Sequence, residues 1–149
     1  SIPESIGNLL ELKKLGLYNN QLTGSIPEEL GYLANLEHLN LRGNQLTGEI
    51  PENIGDLENV TILMLNSNQL NGYIPESIGG LHKLTTLKLF QNELSGVIPE
   101  SICALEHVVF TLEDKYKKSN IFDNHLCPPY PECVEEFIGN QDTSQCREE

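Results

Sequence analysis

The sequence predicts an α/β-type repeat solenoid: a stack of like coils with a parallel sheet on the concave side and short helical turns on the convex side. Three observations predict it. The pattern LxxLxLxxNxLxG at Leu36–Gly48 returns at Leu12–Gly24, Val60–Gly72 and Leu84–Gly96, a period of 24 residues without a slip. The same period spaces Ile2-Pro3, Ile26-Pro27, Ile50-Pro51, Ile74-Pro75 and Ile98-Pro99. Each unit also carries more apolar positions than it can bury alone, so neighbouring coils have to share one core.

In chain order, residues 1–11 are the second half of a repeat whose strand is missing. Solenoids need a polar terminal coil for solubility, and none precedes Leu12. Removal of an N-terminal portion is the expected reason, with self-association through the uncapped edge as the alternative. A chain that starts at Ser1 without an initiator Met is expected of a mature secreted fragment or a trimmed chain.

From residue 12 to 108 the regular units follow. The LxL alternation, as in Leu39-Asn40-Leu41, puts both leucines on one face, which is a short half-buried strand. Asn20, Asn44, Asn68 and Asn92 come where the chain turns inward, and their amides suit backbone groups that a buried turn leaves unpaired. Each Ile-Pro-Glu opens a helical turn, since proline fits the first helical position and Glu meets the positive end of the helix dipole. Glu4, Glu28, Glu52, Glu76 and Glu100 therefore form a convex column. That local role explains the column without a calcium ladder, and no metal or other cofactor is expected. Gly31, Gly55 and Gly79 end the turns, where a left-handed backbone or close packing favours glycine. Cys103 takes their place in the fifth unit.

With IPxxIGxL in the second half of the unit, residues 1 to about 108 resemble the plant-specific class of leucine-rich repeat (LRR) found in receptor-kinase ectodomains and polygalacturonase-inhibiting proteins. The resemblance implies a twisted right-handed LRR superhelix, secretion to the extracellular space or cell surface, and protein or peptide binding on the concave face. The chain departs from that pattern in its small number of coils and in its C-terminal cysteine arrangement.

Beyond residue 108, Tyr130-Pro131-Glu132-Cys133-Val134 aligns with Ile98-Pro99-Glu100-Ser101-Ile102 at an offset of 32, and Asn124 aligns with Asn92 at the same offset. A degenerate sixth coil over 109–126 is expected, with eight residues inserted within Val109 to Lys118, followed by a cysteine-containing cap over 127–149, all within one domain. Lys115, Lys117 and Lys118 make the insertion basic. Four cysteines allow three pairings. The column register favours Cys103 with Cys133 and Cys127 with Cys146, which would staple the last coil in an oxidising compartment. A zinc site fits poorly, because the CPPYPEC segment lacks CxxC spacing.

Structure leaves three columns free on the concave face: Lys14, His38, Ile62 and Thr86; Gly16, Asn40, Met64 and Lys88; Tyr18, Arg42, Asn66 and Phe90. They hold basic, aromatic and apolar side chains and no acid, although acids outnumber bases by 22 to 9 overall. Exposed Tyr, Phe, Met and Arg are the residue types that interfaces use most, so a protein or peptide partner is expected here. Asn59-Val60-Thr61 is a sequon, a glycosylation candidate at Asn59 if the chain is secreted.

Other classes are disfavoured. A net charge of −13 lacks the basic footprint of a nucleic-acid binder. No apolar run is long enough to span a membrane. No catalytic motif is present, and His38, His82, His107 and His125 fall at different repeat phases, so no nucleophile, base and orienting group assemble. Two further readings stand beside the binding module. One is a structural or adhesive array that pairs with itself. The other is an ice-surface binder using the polar column Thr23, Thr47, Asn71 and Ser95.

Overall fold

The computed structural model describes residues 1–112 and 119–146, and it is the expected stack of coils. Four short strands, β1 (Lys14–Gly16), β3 (His38–Asn40), β5 (Ile62–Met64) and β7 (Thr86–Lys88), form a parallel sheet in that order. Leu15 pairs with Leu39, Leu39 with Leu63 and Leu63 with Leu87, so the unit repeats in register. The partner leucines Leu41, Leu65 and Leu89 are fully buried in the shared core. Proline caps each convex turn, a short stretch of 3-10 helix at Glu4–Asn8, Glu28–Tyr32, Glu52–Asp56, Glu76–Gly80 and Glu100–Ala104.

A second set of strands lies on the flank, which the repeat pattern left as turn. β2 (Thr23–Gly24), β4 (Gln45–Gly48) and β6 (Gln69–Leu70) pair in parallel, and β8 (Ser95–Val97) pairs with β9 (His125–Cys127). The LTG segment is too short to show alternation, which is why its strand character is invisible locally.

The asparagines close the inner turns as expected. Asn44 accepts the N–H of Leu22 on Oδ1 and donates Nδ2 to the carbonyls of Leu17 and Leu41, both at 2.9 Å. Asn68, Asn92 and Asn124 repeat this arrangement. Asn20, in the first coil, is exposed and reaches only carbonyls of its own coil.

The residue before each ladder asparagine is left-handed: Asn19, Gly43, Ser67, Gln91 and Asp123 have φ between 52° and 66°. Gly31, Gly55 and Gly79 are not left-handed. Close packing alone selects them: a Cβ on Gly31 would lie 2.6 Å from the carbonyl oxygen of Asn53, and one on Gly79 would lie 2.6 Å from that of Ser101. At Cys103 the following coil is irregular, and the side chain is used instead, in a disulfide to Cys133 with a Cα separation of 5.7 Å. Cys127 bridges Cys146 at 5.6 Å, so both expected pairings are present.

The sixth coil joins the stack at the expected offset. Lys88 bridges to Asn120, and Leu89 donates its N–H to the Asn120 carbonyl at 3.0 Å. Ser119 closes the start of the insertion against Phe110 and Thr111. Lys115, Lys117 and Lys118 lie outside the described residues.

The cap contains a truncated seventh coil. Gln141 takes the ladder position: its Oε1 accepts the N–H of Leu126 at 3.1 Å, and its Nε2 donates to the carbonyls of Ile121 and Ile138. Ile138-Gly139-Asn140-Gln141 matches Ile121-Phe122-Asp123-Asn124, but only 17 residues separate them, so the 24-residue period hides the match.

Candidate functional site

Strand pairing brings the first two concave columns together as expected. Lys14, His38, Ile62 and Thr86 stand side by side, as do Gly16, Asn40, Met64 and Lys88. Backbone bonds from Asn19 to Arg42, from Gly43 to Asn66 and from Ser67 to Phe90 stack the third column, which starts at Tyr18. Adjacent coils therefore present these side chains at the strand spacing of about 5 Å.

Burial then divides the face in two. Tyr18 is 53% exposed, Lys14 is exposed, and His38, Asn40, Arg42, Ile62 and Met64 are half-buried. Asn66, Lys88 and Phe90, expected to be open, are each only 4% exposed and belong to the covered end of the sheet. The sixth coil is the reason. Phe122 brings its ring within 5.1 Å of the Phe90 ring, and Lys88 lies beneath the strand-like pairing to Asn120. The apolar part of a Phe–Phe contact and the stem of a covered lysine add to the core, so these two residues support the sheet more than they offer a surface.

On the open part, the Arg42 guanidinium lies 5.9 Å from the centre of the Tyr18 ring, a cation–π contact that links two coils. The Arg42 N–H is bonded to the Asn40 amide oxygen at 3.3 Å. Glu37 at the margin is held by Lys13 at 3.3 Å. What remains is a strip of aromatic, apolar and cationic side chains on a chain of net charge −13. Such a strip can take an extended segment with apolar side chains and acidic or polar neighbours.

Two other features lie away from this strip. A groove of about 840 Å³ on the flank has Ile and Pro residues of the Ile-Pro column in its wall, and Glu4, Glu28, Glu29, Glu49, Glu52 and Tyr73 around it. Its signal in the sequence is the residue before each Ile-Pro, which varies as Ser25, Glu49 and Tyr73. At the cap, His125 Nδ1 stands 3.6 Å from an Asp142 oxygen. Hydrogen bonds from Ser144 hold the Asp142 carboxyl below its ordinary pKa, with a smaller contribution from His125.

Asn59 is half-buried and already serves the stack. Its Nδ2 donates to the Ala34 carbonyl at 2.8 Å and its Oδ1 accepts from Lys83 Nζ at 2.6 Å. The sequon hydroxyl of Thr61 donates to the Glu37 carbonyl at 3.1 Å. An attached glycan would leave one N–H on Nδ2 for the Ala34 bond. Among the described residues, no helix is long and apolar enough to cross a membrane.

Models of leucine-rich repeats match residues 11–59, as two copies, and 51–108. No curated protein matches the sequence. Among solved structures, the chain is similar to the Arabidopsis receptor kinase HAESA, solved with the peptide hormone IDA and the co-receptor SERK1: 35% identity, TM-score 0.83, over 94% of this chain and 23% of that one. It is similar to a chain of the Arabidopsis thaliana BIR3–SERK2 complex at 35% identity and TM-score 0.70, over 89% of this chain and 66% of that one. A plant ice-binding protein matches at 31% identity and TM-score 0.72, over 84% of this chain and 38% of the other. The chain thus spans about a quarter or less of the length of the receptor kinases it matches.

Proposed function

This chain belongs to the leucine-rich repeat family, and on that footing we propose that it is a non-enzymatic, extracellular module that binds a protein or peptide. The contact surface is the open part of the concave sheet, built by Lys14, Tyr18, His38, Asn40, Arg42, Ile62 and Met64. One observation carries this reading: strand register aligns these side chains into one strip, exposed at Lys14 and Tyr18 and half-buried at the other five. Two disulfides fit an oxidising compartment, and the HAESA structure holds a peptide hormone and a co-receptor. Asn59 is then a glycosylation site, and a mass lost on Thr61→Ala after secretion from a eukaryotic host checks it.

The test is selection of binders from a random peptide display library on the folded protein. The triple variant Tyr18→Ala, Arg42→Ala, Met64→Ala should unfold at an unchanged urea midpoint and lose the selected peptides. Peptides that bind the variant equally well would place the contact elsewhere. Light scattering over a concentration series separates this reading from a self-associating array, whose mass would grow with concentration.

A second reading has one observation in its favour. Thr23, Thr47 and Asn71 are exposed at successive coils on the flank sheet, a regular polar column, and an ice-binding protein shares the fold. Thermal hysteresis with ice would support it, and its absence would remove it.

A further inference from the structure

A hollow of about 150 Å³ opens where the strip meets the covered end of the sheet, between Arg42, Asn66, Ser67, Lys88, Phe90 and Gln91. Asn66 is 4% exposed, and its Nδ2 donates to Ser67 Oγ at 3.2 Å. Ser67 Oγ donates in turn to Gln91 Oε1 at 3.0 Å. This relay leaves Asn66 Oδ1 buried without any donor. The ladder asparagines Asn44, Asn68 and Asn92 have both ends of their amides bonded, so the orphan is not a feature of the repeat. A buried amide oxygen without a donor loses its hydration and gains nothing within the fold.

The chemistry of the hollow narrows what would restore the balance. Asn66 Oδ1 requires a donor. Arg42, on the same hollow, offers only donors and requires an acceptor. A carboxylate would suit Arg42 and Lys88 but would set its charge against the buried Asn66 oxygen, whereas an ammonium would suit the oxygen and oppose both cations. A primary carboxamide carries a donor and an acceptor on adjacent atoms and opposes neither, and the Phe90 ring offers its stem an apolar wall. Gln91 is exposed, so its side chain can swing aside to admit the group.

We propose that this hollow is a subsite for a side-chain carboxamide, an Asn or Gln of the bound partner. The proposal rests on the concave-face reading and adds to it the identity of one recognised group.

Three soluble probes test it: the N-acetyl methylamides of glutamine, glutamate and lysine, titrated into ¹⁵N-labelled protein. The glutamine probe should shift the Asn66 side-chain amide signals saturably and bind about tenfold more tightly than the other two, the discrimination of one satisfied against one unsatisfied polar contact. Asn66→Leu should abolish this preference, and if it disturbs the fold the isosteric Asn66→Asp, which puts a charge where the amide stood, should pass the preference from the glutamine probe to the lysine probe. Equal binding of the three probes, tighter binding of the glutamate probe, or no saturable shift at Asn66 overturns the subsite. These outcomes are independent of the library selection: peptides lost by the Tyr18, Arg42 and Met64 variant but indifferent to Asn or Gln would remove the subsite and leave the concave-face reading in place.

Discussion

Asn92 holds the backbone N–H of Leu70, in the preceding coil, on its Oδ1 at 3.1 Å. Its Nδ2 meanwhile bridges the carbonyls of Leu65 and Leu89, one in each coil. A single side chain thus satisfies three backbone groups inside the stack. Asn92→Ala leaves the Leu70 N–H unpaired and takes one of two donors from each carbonyl, since Leu65 keeps Asn68 Nδ2 at 2.9 Å and Leu89 keeps Asn124 Nδ2 at 3.1 Å. It should destabilise the protein by about 2–3 kcal/mol, one orphaned buried donor plus two lost bonds. Asn20→Ala removes bonds to exposed carbonyls of the first coil only, and should cost under about 1 kcal/mol. Urea unfolding of the two variants measures the difference, and equal midpoints would contradict the ladder's role.

Gly79 and Gly16 make a second contrast. A Cβ at Gly79 would press on the Ser101 backbone, which the stacked turns cannot move without opening the core. Gly79→Ala should therefore cost about 2 kcal/mol or more. On the concave sheet a Cβ at Gly16 meets only the Tyr18 ring at 3.8 Å, an ordinary contact, so Gly16→Ala should leave stability within about 0.5 kcal/mol. Thermal midpoints decide between them.

The two disulfides close segments with separations of 30 and 19 residues. Replacing Cys103 and Cys133 together by Ser should cost about 3 kcal/mol and admit protease first between Cys127 and Cys146, because neighbouring coils depend on the sixth for their last contacts. Limited proteolysis followed by mass spectrometry locates the first cut. A first cut within residues 1–108 would show that the bridge does not hold the end.

Asp142 gives the cap a pH dependence with a definite sign. Its folded-state pKa lies below the unfolded value, through hydrogen bonds from Ser144, including one from the Ser144 N–H at 3.0 Å. The stability this confers is present above the ordinary carboxylate range and is lost as pH falls through the depressed folded value. Amide exchange at Leu126 and Asp142 should accelerate, relative to the first coils, as pH falls through that acidic window. Asp142→Asn should flatten this change, and an unaltered acid response in the variant would assign it to another carboxylate.

Much of this was legible in the chain itself. A slip-free period fixed which leucines meet, because a unit that cannot bury its own apolar side chains has only its neighbours to use. The offset of Asn124 from Asn92 located the sixth coil despite its insertion, and the column register then placed Cys133 beside Cys103. The flank strands and the ladder role of Gln141 were not legible: strands of two to four residues are too short to show alternation, and a coil shortened to 17 residues falls out of phase with the rest.

The sequence by itself determined the stack, its register and the asparagine ladder of the regular coils, since each follows from a repeated local requirement, and it favoured the disulfide pairing found in the structure. Only the tertiary structure decided which concave positions stay open. Tyr18 and Phe90 occupy the same column of the repeat, yet one is largely exposed and the other packs on Phe122. Periodicity assigns a direction to a side chain, but burial depends on what the irregular last coil lays over it, and that is a property of the assembled chain.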